Sequence, residues 1–268
     1  MDNAAPPIIT LTTDFGMEDG NVGVMKGVIL GLNPDATIVD LTHDIPPQDV
    51  AAAAYVLRRA YGYFPTGTIH VVVVDPGVGT GRRAIAVHSP DASFVAPDNG
   101  VLTYVVQQLR AAHQELRIVN LTNRQYWLPQ VSNVFHGRDI FAPVAAHLSL
   151  GVQIDALGTQ LDDIVTIPLP RLEIHRRKIT GQVAHVDHFG NLLTNIPRSD
   201  LLSLGDRLIV RLAEREIKGV SNTFAQGEDG ELIAYIDSSA HLAIAVVNGS
   251  AQRLLNSSVG TSVEVQPS

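Results

Sequence analysis

The sequence contains no cysteine among its 268 residues. This absence excludes disulfide bonds, zinc–thiolate clusters, iron–sulfur centres and thiol nucleophiles. Any chemistry must therefore use oxygen and nitrogen groups.

Basic and aromatic residues are also scarce. Nineteen Lys and Arg against 27 Asp and Glu give a formal charge of −8, and aromatic residues make up only 5%. A negative surface repels a phosphate backbone, and few rings remain for stacking on bases. We therefore expect no nucleic-acid partner.

Long apolar runs are missing as well. None approaches the roughly eighteen residues of a membrane span, and residues 1–7 lack the basic and apolar regions of a signal peptide. We expect no membrane partner and a cytoplasmic location.

What is present in the first half is an alternation of short β-rich runs with helical periodicity, which predicts strands joined by crossover helices in a mainly parallel sheet. Four consecutive valines at 71–74 indicate a central strand that is buried on both faces. The predicted strands are residues 8–12, 37–41, 68–74, 84–88 and 117–121. The predicted helices are residues 22–32, 48–61, 101–112 and 138 to about 150.

The pattern changes after Gly158, where a proline-containing stretch at 165–172 is followed by no helical periodicity. Short runs separated by Gly, Asn, Asp and Ser predict a small antiparallel sandwich or barrel. These runs are residues 182–186, 208–212, 232–236, 242–247 and 262–265. We predict an α/β domain at 8–164 and a β-domain at 172–268.

Polar side chains follow four of the predicted strands. They are Asp14; Asp40, His43 and Asp44; Asp75; and Asp98 with Asn99. Ligands of open α/β sheets bind beyond the carboxyl ends of the strands, although capping or turn formation is the commoner role for any one such residue. Four such places in one half of the chain favour a polar cleft.

The segment 75–83 combines three glycines and a proline directly after the valines. This composition indicates either a backbone shaped for close approach to a ligand or a simple tight turn. It lacks the Walker lysine and the Rossmann spacing, so we predict no nucleoside triphosphate site. His136 in Phe135-His136-Gly137-Arg138-Asp139 is a second candidate, as a structural hydrogen bonder or a catalyst.

We predict no metal site, because no His-Glu-x-x-His pair or compact ligand cluster is present. One rival hypothesis involves calcium. Residues 12–19 resemble the opening of calcium-dependent nucleoside hydrolases, but Thr12 and Glu18 replace two of its aspartates. This hypothesis ranks second.

In the second half, Asp187-His188-Phe189-Gly190-Asn191 interrupts a strand pattern. The segment fits a hairpin turn with a bulge. An Asn191 amide beside the Phe189 ring would also suit the edge and face of an adenine. Spacing alone does not separate the two interpretations.

Taken together, the segments resemble the S-adenosyl-L-methionine hydroxide adenosyltransferase family, the hydrolytic relatives of the bacterial fluorinase and chlorinase. The matching segments are 11–16, 33–34, 44–47, 74–83, 96–100, 135–139, 187–191 and 248–250. The resemblance implies an N-terminal Rossmann-like three-layer α/β domain and a C-terminal antiparallel β-barrel. It also implies a homotrimer with active sites at subunit interfaces.

The resemblance further implies roles for individual residues. Asp75, Arg82 and His136 match the family's catalytic triad, and Asp14 matches the residue that receives the ribose hydroxyls. For adenine the matching residues are Asn191, Asn248 and Gly249, and for the methionine ends they are Asp187 and Ser238.

The implied reaction is hydrolysis of S-adenosyl-L-methionine to adenosine and L-methionine by attack of water or hydroxide on ribose C5′. S-adenosyl-L-methionine is then the substrate, and neither a cofactor nor a metal is needed. His136 is either the base, oriented by Asp75 while Arg82 keeps Asp75 ionised, or it stabilises bound hydroxide together with Arg82.

Two further alternatives remain. The fluorinase carries Tyr and Ser where this chain has His136-Gly137, so water is favoured as the nucleophile and halide ranks third. A non-catalytic S-adenosylmethionine or adenosine sensor would need Asp14 and Asn191 but not the triad, so the presence of all three triad residues argues for an enzyme.

Overall fold

The computed structural model describes residues 5–268, and the chain divides into two units. The first ends at Ile167 and the second spans Pro168–Ser268. This division lies inside the interval 165–171 that separates the two predicted domains.

A seven-stranded sheet forms the middle of the first unit. Its order is β2-β1-β3-β5-β4-β6-β7, and only β4 and β7 run against the other five strands. The sheet is therefore mostly parallel, as predicted. The strands are β1 (Ile8–Thr13), β2 (Thr37–Thr42), β3 (Thr68–Val73), β4 (Ala84–His88), β5 (Ala92–Pro97), β6 (Arg117–Asn120) and β7 (Thr159–Leu161).

Two features of this sheet differ from the sequence prediction. Strands β5 and β7 were not predicted, and β4 is not reached through a crossover helix. Only three residues separate β4 from β5, which is enough for an antiparallel hairpin but not for a crossover. Strand β3 is buried throughout and lies between β1 and β5, although β5 occupies the middle position. A Rossmann-like arrangement stays a prediction.

Four helices cover the two faces of the sheet. They are α1 (Asn21–Leu32), α2 (Val50–Ala60), α3 (Thr103–Ala111) and α4 (Ala142–Ser149). Apolar side chains of α1 and α4 pack on one face, and those of α2 and α3 pack on the other. The unit therefore has three layers, each helix contributing an apolar stripe to the core.

The predicted fourth helix begins differently from the prediction. Residues Gly137–Phe141 form a π-helical turn, in which the Ala142 amide donates to the Gly137 carbonyl, and the α-helix starts only at Ala142. Pro143 has no N–H to donate to the Asp139 carbonyl. That carbonyl instead accepts from the Leu128 amide at 2.9 Å.

An eight-stranded antiparallel sheet forms the second unit. Its strands are β8 (Glu173–His175), β9 (Lys178–Val186), β10 (Leu192–Pro197), β11 (Leu208–Leu212), β12 (Arg215–Lys218), β13 (Leu232–Ile236), β14 (His241–Val246) and β15 (Ser262–Pro267). The order is β12-β11-β15-β9-β10-β14-β13, with β8 beside β9. Of these, β8, β10 and β12 were not predicted.

The two edges of this sheet approach each other. Ser221, shortly after β12, forms an isolated bridge with Tyr235 of β13, so the sheet curls into a nearly closed barrel. Its interior is a continuous cluster of buried Ile, Val and Leu side chains. Two short helices, α5 (Arg198–Leu202) and α6 (Ala251–Leu255), complete the unit.

Candidate active site

The glycine-containing turn 75–83 begins at the carboxyl end of β3 and leads into β4. Gly79 has φ +77°, and a Cβ atom there would lie 2.2 Å from the main-chain oxygen of Asn133. No other residue fits this position without moving that main chain. The glycine therefore permits close packing between the turn and residues 128–135, which we call the 128–135 loop.

Asp75 and Arg82 at the two ends of this turn form a bidentate ion pair. Arg82 donates from Nε to Asp75 Oδ1 at 2.8 Å and from Nη2 to Asp75 Oδ2. The two side chains are only 5% and 9% exposed, and the guanidinium lies over the Phe141 ring. Such a planar, buried pair fixes the orientation of the guanidinium.

Arg82 also contacts His136, which lies 54 residues further along the chain. Its Nη2 is 2.8 Å from His136 Nδ1. Because a guanidinium can only donate, Nδ1 must be the acceptor, and the proton of the neutral ring is then on Nε2. The structure thus joins the three predicted triad residues in the order Asp75, Arg82, His136.

His136 is held in its neutral form. Burial and then the positive charge of Arg82 lower the pKa of His136 below its ordinary value, although the charges of Asp75 and Asp139 oppose this. Asp75 bonds to Arg82, so Arg82 stands between the carboxylate and the imidazole. Asp75 therefore reaches His136 through Arg82, and both roles weighed for His136 stay predictions.

Asp14 lies at the same edge of the sheet as the triad. Thr13 at the end of β1 pairs with Val73 at the end of β3, so Asp14 and Asp75 follow neighbouring strand ends. Asp14 Oδ2 accepts from the Gln48 amide at 2.7 Å. Phe15 meets Phe135 edge-on, with the ring centroids 5.8 Å apart. These contacts connect the Asp14 segment to the segment that carries His136.

Asp98 has a different role from the triad. Its side chain is fully buried, accepts from Arg83 Nε at 2.6 Å and also accepts from the Val165 amide at 2.8 Å. These bonds hold the end of the first unit onto the sheet. Asp98 is therefore a structural residue, the commoner of the two roles weighed from the sequence.

In the second unit, Asp187 builds the turn between β9 and β10. Its Oδ1 accepts from the Phe189 and Asn191 amides at 3.0 and 2.9 Å, and its Oδ2 accepts from Asn191 Nδ2 at 2.8 Å. Both carboxylate oxygens are therefore engaged within the turn. Asn191 is buried, whereas Phe189 is 74% exposed.

Asn248 and Gly249 lie at the same end of the barrel as this turn, because Leu192 at the start of β10 pairs with Ile244 near the end of β14. The two segments are in contact. A Cβ on Gly190 would lie 2.0 Å from Ser250 Oγ, and the Gly190 carbonyl accepts from the Gln252 amide. The structure thus brings together the three residues predicted to hold adenine.

Ser238 is not part of this group. It lies in the turn between β13 and β14, beyond the paired residues Ile236 and Leu242, whereas Asn248 follows the opposite end of that hairpin. At about 3.3 Å per residue, the length of β14 separates them. A single ligand would have to extend along the hairpin to contact both.

No role was predicted for Ser132 or Asp139. The Asp139 side chain is nevertheless fully buried beside the triad. A carboxylate that precedes an apolar run at 140–146 was the signal available in the sequence.

Among residues 5–268, no three His, Asp or Glu side chains are grouped so that they could hold a metal ion. Within the same range, no helix is long and apolar enough to cross a membrane.

Comparison with known proteins finds similarity along the chain. Models of the SAM hydroxide adenosyltransferase N-terminal and C-terminal domains match residues 9–158 and 181–264. The chain is 40% identical, over 98% of both chains, to an (R)-S-adenosyl-L-methionine hydrolase of Salinispora tropica. It is 36% identical to a Methanocaldococcus jannaschii protein of the same name, over 93% of this chain and 92% of that one. A fluorinase of Nocardia brasiliensis is 30% identical over 98% of both chains.

Solved structures give the same result. An uncharacterized conserved protein from Thermotoga maritima has a TM-score of 0.89 at 40% identity, covering 96% of this chain and 99% of that one. A conserved hypothetical protein from Thermus thermophilus has a TM-score of 0.77 at 34% identity, covering 97% and 99%. The similarity extends over both units.

Proposed function

The chain belongs to the SAM hydroxide adenosyltransferase family, and from this premise we propose that it hydrolyses S-adenosyl-L-methionine to adenosine and L-methionine. Curated relatives at 36–40% identity carry the name (R)-S-adenosyl-L-methionine hydrolase. The observation that carries the proposal is the contact of Arg82 with both Asp75 and His136. It fixes the guanidinium and leaves an N–H of Nη1, beyond the one that reaches the Arg83 carbonyl, to donate to an oxygen nucleophile.

In the proposed reaction, the oxygen of water or hydroxide attacks ribose C5′ in line with the sulfonium. The C5′–O bond forms while the C5′–S bond breaks, and methionine leaves as a neutral thioether with the electron pair. The remaining proton of an attacking water passes to solvent. No general acid is needed, because the leaving group carries no developing negative charge.

Of the two roles weighed for His136, we favour stabilisation of the nucleophile. Its Nδ1 accepts from Arg82, so the neutral ring presents an N–H at Nε2 and has no vacant lone pair for a proton. Arg82 and the Nε2–H would hold hydroxide by charge-assisted hydrogen bonds. Since hydroxide and sulfonium lose their charges as they react, exclusion of water would accelerate the step.

The substrate contacts are proposed from the family resemblance. Asp14 would receive the ribose hydroxyls; Asn191, Asn248 and Gly249 would bind adenine, with Phe189 against its face; and Asp187 and Ser238 would bind the methionine ends. The clustering of the adenine residues at one end of the barrel supports this assignment. A homotrimer with active sites at subunit interfaces, independence of metals and a cytoplasmic location belong to the same proposal.

The test is an incubation of EDTA-treated protein with each sulfonium epimer of S-adenosyl-L-methionine in ¹⁸O-water, followed by mass spectrometry. We expect adenosine labelled at the 5′ oxygen together with methionine. Release of free adenine would instead indicate a nucleoside hydrolase, and a 5′-halogenated nucleoside in a parallel halide arm would indicate a halogenase. Bound but unchanged substrate would indicate a sensor. Light scattering of the same sample tests the trimer.

A further inference from the structure

Asp139 is a buried carboxylate in the π-helical turn directly after His136. Its side chain is fully buried and accepts from Arg138 Nε at 2.6 Å and from Arg138 Nη2 at 3.1 Å. Its Oδ2 also accepts from the Ser132 amide at 2.8 Å. Burying a carboxylate is costly unless such bonds compensate, so this placement needs an explanation.

The bonds of Asp139 hold the 128–135 loop at its first residue and in its middle. The Asp139 carbonyl accepts from the Leu128 amide, and its carboxylate accepts from the Ser132 amide. Ser132 Oγ in turn accepts from the Phe135 amide at 3.0 Å, one residue before His136. The main chain that leads into His136 is therefore fixed from the carboxylate outward.

The same loop packs against the turn that carries the other two triad residues. The main-chain oxygen of Asn133, next to Ser132, occupies the space where Gly79 would have a Cβ. A shift of Ser132 and Asn133 would move this contact and, with it, the turn between Asp75 and Arg82.

We propose that Asp139 is a positioning residue. Its hydrogen bonds fix the 128–135 loop, which contacts the turn 75–83 and leads into His136, and so keep His136 Nδ1 within hydrogen-bond distance of Arg82. It does not contact the reacting atoms. The inference depends on the proposed function only for its kinetic readout.

Asp139 also acts on His136 through its charge. Burial raises the pKa of Asp139, but hydrogen bonds from Arg138 and Ser132 more than offset this, so the pKa is lowered and the group is ionised at neutral pH. The groups that influence His136 are Arg82, Asp75, Asp139 and the main chain of Ser132. Removal of the Asp139 charge would therefore lower the pKa of His136 further.

The chain provides a matched control in Asp98. Its side chain is also fully buried, accepts from Arg83 and accepts from one main-chain amide of a distant segment, that of Val165. Substituting either aspartate by asparagine removes one buried charge from an equivalent pair. The two variants differ in whether that charge lies beside His136.

The experiment compares Asp139→Asn with Asp98→Asn in the full-length protein. The readouts are ¹⁵N chemical shifts of His136 as a function of pH, and kcat and KM for S-adenosyl-L-methionine. We expect Asp139→Asn to move the ¹⁵N shift of Nδ1 in neutral His136 towards that of a lone pair without a donor, because this atom loses its bond from Arg82. We also expect kcat to fall by about 10–100-fold with KM nearly unchanged, because small misplacements of catalytic groups cost about this much. Asp98→Asn should leave both readouts at wild-type values.

The inference is overturned if Asp139→Asn leaves the ¹⁵N shift of neutral His136 Nδ1 and kcat unchanged, or if Asp98→Asn alters both to the same extent. If Asp139→Asn does not fold, Ser132→Ala serves instead. It removes the bond from the Phe135 amide and the side-chain bond to Asp139 but keeps the bond from the Ser132 amide, so it should change the same readouts in a smaller measure. The ¹⁵N shift of neutral His136 Nδ1 requires no turnover, so it decides the inference even if the protein does not hydrolyse S-adenosyl-L-methionine.

Discussion

The turn 75–83 in the first unit and the turn 187–191 in the second unit both follow a strand and begin with an aspartate. Both contain a glycine with positive φ whose Cβ would collide with a neighbouring segment, Asn133 for Gly79 and Ser250 for Gly190. The aspartates differ in their partners. Asp75 bonds to the side chain of Arg82, whereas Asp187 bonds to amides within its own turn.

This difference indicates what each carboxylate does. Asp75 orients the Arg82 guanidinium, which also bonds to His136. The Asp75 carboxylate therefore belongs to a site that is built from two distant segments of the chain. Asp187 stabilises the local backbone and bonds to the Asn191 side chain. We expect changes in the first turn to affect turnover and changes in the second to affect stability first.

The largest effect is expected for Arg82→Met, which removes the cation from the triad. We expect kcat to fall by about 10²–10³-fold, the cost of losing a preorganised donor to a developing or bound oxyanion. Arg83→Met is the matched control, because Arg83 pairs with the structural Asp98 instead. Steady-state kinetics with S-adenosyl-L-methionine checks both, and an equal loss in the two variants would contradict the assignment.

A smaller effect is expected for Asp187→Ala, which removes the acceptor of three hydrogen bonds. We expect the free energy of unfolding of the second unit to fall by about 2 kcal/mol, because the amide of buried Asn191 loses its partner. Urea unfolding measures this, with Asp206→Ala at an exposed position of the same unit as the control. Full stability combined with lost turnover would show that Asp187 acts on the ligand alone and not on the turn, and would remove the contrast between the turns.

The pH dependence of kcat should arise from His136, which contacts Arg82 of the first turn, and not from the second turn. Burial and the charge of Arg82 lower the pKa of His136 below 6.5, so its stabilising neutral form is complete above pH 6.5 and is lost as the pH falls through the lowered pKa. As the pH is lowered from 6.5, we expect kcat to stay level until the lowered pKa of His136 is reached. Below that pKa, kcat should fall about tenfold per unit of pH, because protonated Nδ1 cannot accept from Arg82. A pH profile of Asp187→Ala should show the same acid limb, and a shifted limb would couple the two turns.

The smallest effect is expected for Phe189→Ala. Its ring is 74% exposed, so the free energy of unfolding should change by less than about 0.5 kcal/mol. If the ring stacks on adenine, KM should rise by roughly 3–10-fold, in line with the energy of an aromatic contact. Tyr63→Ala, at an exposed position of the first unit, is the control. An unchanged KM would remove Phe189 from the substrate contacts.

The sequence predicted the mostly parallel sheet and the barrel-like sheet, because the valine run and the short runs separated by turn residues are strong local signals. It missed β5, since 92–97 includes a proline and follows β4 after only three residues. It also placed the start of the fourth helix at Arg138. Pro143 lacks the N–H that would bond to the Asp139 carbonyl one turn earlier, and the apolar periodicity does not show this missing bond.

The candidate site was predictable to a similar degree. The residues Asp75, Arg82 and His136 stand out in the sequence, and the family resemblance assigned them together. Their order of contact was not predictable, because the bond from Arg82 to His136 joins segments 54 residues apart. The bonds within the turn 187–191 depend on the local backbone, so spacing could not separate turn formation from ligand binding at Asp187.

The π-helical turn Gly137–Phe141 has a consequence for how the chain length can vary. It contains one residue more than an α-helical turn would, and each residue of an α-helix corresponds to about 100° of rotation. Deletion of a single residue here would regularise the helix and rotate the imidazole of His136 away from Arg82, while the apolar face of α4 stayed in the core. Insertions and deletions that surface loops accept without loss should therefore be excluded from this segment.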